Sequence, residues 1–169
     1  MLELPSLQSV PLTSGQLMSW REWGAGAPLI MLHGWSMSSV IFGEVAPKLA
    51  EHFRVLCPDL PGHGGSTLGT EEDLPALAAA VCEWAELLSL AEASLLGWSL
   101  GGQVALQLAS EKSLGIDKLL LVATTPRFCQ SDDWSAGLPA TQIRALERNL
   151  RRAYEKTLGD FFNLQFAGE

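Results

Sequence analysis

The sequence predicts an α/β fold built on a mostly parallel sheet with helices on both faces, and three segments carry that prediction. Residues 29–32, 53–58 and 93–96 are short apolar runs of the kind that fill a buried strand. Each leads into a segment whose glycines or prolines mark a turn: His33-Gly34-Trp35, Asp59-Leu60-Pro61-Gly62-His63-Gly64-Gly65-Ser66 and Gly97-Trp98-Ser99-Leu100-Gly101-Gly102. Parallel strands bring three such loops to one carboxyl edge, where open α/β sheets place their ligands.

Taken in order, strands are predicted near 17–23, 28–32, 53–58, 93–98 and 117–123. Helices are predicted near 43–51, 73–89, 101–111, 139–157 and 158–166. Gly115 separates the third helix from the apolar strand that follows it. Residues 1–15 read as a loosely held extension, 1–123 as the sheet with its helices, and 124–169 as a separate helical part.

The third loop carries the chemistry. Gly97-x-Ser99-x-Gly101 lies between an apolar run and the helical pattern that starts at Gly102-Gln103-Val104, the context in which this motif makes a nucleophile elbow. A serine on a tight strand-to-helix turn leaves no room for side chains two residues before or after it, and it sits at a helix N-terminus, where backbone N–H groups favour developing negative charge. Acyl transfer needs two donors for the oxygen that becomes an oxyanion, each contributing about 3 kcal/mol. The N–H groups of Leu100 and Trp35 are the predicted pair. The bland alternative is a strand-to-helix turn that merely requires small residues.

The order His33-Gly34-Trp35, then Asp59-Leu60-Pro61-Gly62-His63-Gly64-x-Ser66, then Gly97-Trp98-Ser99-Leu100-Gly101-Gly102 resembles the α/β-hydrolase superfamily. Trp35, Trp98 and Leu100, the run 122–128, Asp133-Trp134 and Phe161-Phe162-Asn163-Leu164-Gln165 extend the likeness to pimeloyl-acyl-carrier-protein methyl ester esterases of biotin synthesis, over about residues 19–168. The resemblance implies a carboxylesterase in which Ser99 attacks the ester and Trp35 and Leu100 hold the oxyanion. It also implies that Trp35, Ser99, Leu100, Phe161, Phe162, Asn163, Leu164 and Gln165 contact the acyl substrate, and that residues 124–169 begin a helical cap. A generic esterase or lipid hydrolase of the same fold, and an inactive chain that only binds an acyl group or its carrier protein, are the alternatives.

The catalytic aspartate and histidine of such enzymes follow the serine on later strands. No histidine follows Ser99 here. Of the three present, His33 and His63 lie in the other two loops, and His52 ends a predicted helix. Asp117 precedes a strand, while Asp132, Asp133 and Asp160 fall in or near the expected cap. The resemblance therefore implies the N-terminal part of a larger hydrolase, with its C-terminal strands missing. The unmade sheet edge would invite self-association or a complementing C-terminal fragment.

Charge points to a partner. The chain is net −8, yet 139–157 holds Arg144, Arg148, Arg151, Arg152 and Lys156 against Glu147 and Glu155. At about 100° per residue these cations share one helix face, opposite Ile143, Leu146, Leu150 and Tyr154. By itself this pattern is that of a solvated helix face. The resemblance makes it a docking face for the acidic acyl-carrier protein. The overall charge argues against nucleic acid. No apolar run approaches the roughly 20 residues of a bilayer span, and the start has neither basic leader nor apolar signal core, so a cytoplasmic location is expected. Cys57, Cys82 and Cys129 read as reduced core or near-core thiols rather than bridges or metal ligands, and neither metal nor cofactor is expected.

Overall fold

The computed structural model describes residues 3–165 apart from Glu72, and for Gln165 the backbone alone. The chain forms two compact units, Met1–Pro126 and Arg127–Glu169. The first is built on six strands: β1 (Gln8–Pro11), β2 (Leu17–Trp23), β3 (Ala27–Leu32), β4 (Phe53–Pro58), β5 (Glu92–Trp98) and β6 (Gly115–Val122). Their spatial order is β1-β2-β4-β3-β5-β6. The last four are parallel to one another, whereas β1 and β2 run antiparallel to their neighbours.

Side chains of a strand alternate between its two faces, and β5 shows what covers each. Leu95 belongs to the larger core, with Ile30, Leu56, Val81, Trp84, Val104 and Leu108. Leu96, its neighbour, packs on a smaller core of Leu29, Met31, Phe42, Ala46, Val55 and Cys57. The larger core is roofed by α2 (Leu74–Leu87) and α3 (Leu100–Glu111). Asp73 caps α2 by accepting the Ala76 N–H at 2.9 Å, and Trp84 on α2 meets Trp20 edge to face at 5.9 Å between centroids. The smaller core is covered by a 3-10 turn, Ser39–Phe42, and the one-turn α1 (Ala46–Leu49).

Four expectations need correction. The helix near 43–51 is only the one-turn α1, preceded by the 3-10 turn that ends at Phe42 before Gly43, and Pro47 falls in its first turn, where proline is tolerated. The N-terminal extension contains β1, fixed in register by Gln8 opposite Trp20 and Pro11 opposite Leu17. Cys129 is exposed, whereas Cys57 and Cys82 are buried, and all three are free thiols. The helix over 139–157 breaks at Ala153, whose φ of −151° and ψ of 65° are not helical, into α4 (Ala140–Arg152) and α5 (Tyr154–Gln165). The Ala153 carbonyl accepts both the Thr157 N–H and the Thr157 hydroxyl, which fixes the start of α5.

Candidate active site

Ser99 is the single residue between β5 and α3. Its φ of 54° and ψ of −115° are foreign to a non-glycine residue and cost roughly 1–3 kcal/mol. Neighbours hold it there. The Ser99 N–H donates to the Val122 carbonyl at 3.0 Å, and its own carbonyl accepts the N–H groups of Gly102 and Gln103. The same carbonyl accepts the Thr124 hydroxyl at 2.7 Å. Gln103 reaches on to the Thr125 carbonyl at 3.1 Å. The glycines of the motif are required by close approach: a Cβ on Gly101 would run into the carbonyls of Leu32 and His33, at the end of β3.

That approach seats the first loop beside the serine. A Cβ on Gly34 would stand 3.4 Å from the Ser99 Cβ and 3.5 Å from the Trp98 ring. The loop turns tightly, with Met37 N–H donating to the Gly34 carbonyl at 3.2 Å and Ser36 at a φ of 60°. His33 is fully buried, and its Nε2 accepts the Leu60 N–H at 2.9 Å. That bond leaves the ring proton on Nδ1, which donates to the Gly34 carbonyl at 2.8 Å. Burial pushes the His33 pKa down to about 4, against the raising effect of the Gly34 carbonyl.

Ser99 and Leu100 are consecutive, and the loop that bears Trp35 meets Ser99 through Gly34. Ser99 and Trp35 are each half-buried, and Leu100 is the first helical residue, whose N–H has no acceptor one turn earlier. Such a site can attack an acyl carbon and stabilise the oxyanion that forms. Among the described residues no hydrogen bond reaches the Ser99 hydroxyl. His33 has both ring nitrogens engaged, which removes it as a base. His63 donates through Nδ1 to the Pro61 carbonyl, 3.0 Å away, with its ring centroid 5.2 Å from that of His33. His52 is exposed. Thr124 went unrecognised as a support of the elbow, since a threonine after a strand carries no local signal of that task.

The second unit holds the other predicted residues. Phe161 and Phe162 on α5 meet edge to face at 5.9 Å, and Asn163 and Leu164 are exposed. The Gln165 side chain lies outside the described residues. Arg144, Arg148, Arg151 and Arg152 are all exposed on α4, opposite half-buried Ile143, Leu146 and Leu150, and among the described residues none makes an ion pair. Lys156 and Tyr154 leave that helix with the break at Ala153, and Lys156 pairs with Asp160 at 2.6 Å. Among the described residues no cluster of three His, Cys, Asp or Glu is placed to hold a metal ion.

A family model described as the alpha/beta hydrolase fold matches residues 27–167, and the chain belongs to that family. Its curated relatives include pimeloyl-[acyl-carrier protein] methyl ester esterases. That of Nitrosospira multiformis is 37% identical over 155 residues, covering 86% of this chain and 56% of the relative. That of Chromobacterium violaceum is 37% identical over 145 residues with the same shares. Among solved structures, an esterase from Exiguobacterium antarcticum superposes with a TM-score of 0.84 at 27% identity, over 91% of this chain and 59% of that one. An N-acyl homoserine lactonase gives 0.65 at 33% identity, over 73% and 46%. The chain spans little more than half the length of the curated relatives it matches.

Proposed function

We propose that this chain supplies the nucleophile and oxyanion hole of a carboxylesterase that cleaves the methyl ester of a pimeloyl chain carried on acyl-carrier protein. The observation that carries the reading is Ser99, held at a left-handed φ on the elbow with Gly34 against its Cβ. The names of the curated relatives support the substrate. In this reading the Ser99 hydroxyl oxygen attacks the ester carbonyl while the N–H groups of Trp35 and Leu100 hold the oxyanion. The methoxy group leaves as methanol, and water then releases the free acid from the acyl-serine. Residues 124–169 correspond to the start of a cap, Phe161, Phe162, Asn163, Leu164 and Gln165 are the candidates to contact the acyl group, and the α4 arginines dock the acidic carrier. The exposed edge of β6 pairs with another strand, from a second copy or a complementing polypeptide.

A second reading, binding of the acyl carrier without turnover, draws on the absence of an imidazole on Ser99 among the described residues. Turnover of a p-nitrophenyl ester and labelling by a fluorophosphonate separate the two. The isolated chain is expected to turn over at least ~10³-fold more slowly than a full-length relative, because serine without its base is a weak nucleophile. Labelling should fall on Ser99 and vanish in Ser99→Ala. Rapid turnover that needs His63 would place the base within this chain, and labelling indifferent to Ser99→Ala would overturn the nucleophile assignment.

A further inference from the structure

Asp59, at the head of the second loop, takes no part in the chemistry above, yet it is 2% exposed and bonded on every side. Oδ1 accepts the Ser39 N–H at 2.6 Å and Oδ2 the Gly65 N–H at 2.9 Å. Its own N–H donates to the Ser19 carbonyl at 2.8 Å, and its carbonyl accepts the Ser66 hydroxyl at 2.6 Å. Gly64, at a φ of 53°, crosses so close that a Cβ there would collide with Oδ2. A buried carboxylate is tolerated when N–H groups satisfy it, and here they come from two different loops.

What the carboxylate ties together is the stretch 33–39. Ser39 closes it at one end, and at the other His33 is gripped by the N–H of Leu60, the residue after Asp59. Trp35 lies between the two anchors. Ser36, in the left-handed region without being glycine, costs about 1 kcal/mol or more, so the stretch does not keep this shape unaided.

We propose that Asp59 is a positioning residue for the oxyanion hole: by holding the Ser39 N–H it fixes the turn 34–37 and with it the direction of the Trp35 N–H. The inference rests on the reading of Trp35 as an oxyanion donor. Two variants of the full 169-residue chain test it. Asp59→Asn keeps size and one acceptor but turns an NH2 toward the second N–H. Ser39→Pro deletes the donor, at a position where the preceding Ser38 is already extended, with φ −152° and ψ 178°, as proline requires of its neighbour. Amide exchange is followed at Met37, whose N–H closes the turn, and at Leu95 in the middle of β5. Fluorophosphonate labelling of Ser99 is resolved into kinact and KI.

Both variants should speed exchange at Met37 about tenfold relative to Leu95, and lower kinact about tenfold with KI unchanged, as expected when one oxyanion donor is misaimed. Exchange that rises equally at both sites, or does not rise at Met37, overturns the proposal, as does an unchanged kinact in a chain whose turn has loosened. If Met37 responds alone while wild-type Ser99 takes no probe, Asp59 fixes the loop and the nucleophile reading is what fails.

Discussion

A histidine buried with both ring nitrogens engaged makes the stretch 33–39 a source of acid sensitivity. The folded chain keeps His33 neutral down to about pH 4, whereas an unfolded chain protonates it near 6.5. Between those values the unfolded state binds more protons, so stability falls as pH drops through the window and is fully present above it. From pH 7 to pH 5 the loss from this residue should be about 2 kcal/mol. Glu22 acts lower. Its hydrogen bond from Arg54 at 2.7 Å holds its carboxyl below the usual range, so its contribution is lost only in stronger acid. Urea titrations at pH 7 and 5 should therefore show most of that difference removed in His33→Gln, and an equal pH slope in both proteins would contradict it. At this scale the sequence was informative wherever chemistry demands a residue type. The tight turn at Ser99 and the need for glycine at 101 follow from a motif whose geometry leaves few alternatives. Asp59 and Thr124 did not follow, because each works through backbone groups that the fold alone brings near: Ser39 is 20 residues from Asp59, and Ser99 is 25 from Thr124.

The strands were legible because apolar runs bounded by turn residues have few other uses, and β2 and β4 fall on the predicted ranges. Short or interrupted elements were not. β1 is four residues long, with polar residues facing out, and it exists by pairing with β2. Nothing in the composition around Ala153 announces the break there, since alanine is the best of helix formers. The break bears on the proposed docking, because it confines the arginines to one helix. Replacing Arg148, Arg151 and Arg152 by Glu should weaken binding of acyl-carrier protein at least about tenfold, mostly through the association rate, and wild-type binding should weaken as salt shortens the ~10 Å Debye length. Binding kinetics at several salt concentrations check this, with circular dichroism showing that the helix persists. Affinity unmoved by both charge reversal and salt would return α4 to a solvated surface.

The whole molecule has two unlike sheet edges. β1 is short and ends in Pro11, both of which blunt an edge. β6 is twice as long. Its first half carries Asp117 and Lys118 where the register with β5 shifts, but its second half is Leu119-Leu120-Leu121-Val122, with Leu120, Leu121 and Val122 each 44–46% exposed. Apolar strands of a parallel sheet are normally covered on both faces. The wild-type chain should accordingly self-associate as concentration rises in sedimentation velocity, and Leu120→Lys should shift it toward monomer. A wild-type chain that stays monomeric at high concentration would sink the edge-pairing idea.

The strand order also sets a timetable for synthesis. β3 pairs with β4 on one side and β5 on the other, and both follow it in the chain. When Ala27–Leu32 leaves the ribosome it has no partner strand on either flank. The first arrives with Pro58 and the second only with Trp98. The stretch bearing Trp35 therefore gains its Asp59 and Leu60 anchors as β4 is completed, whereas its contact with the Ser99 turn waits for β5.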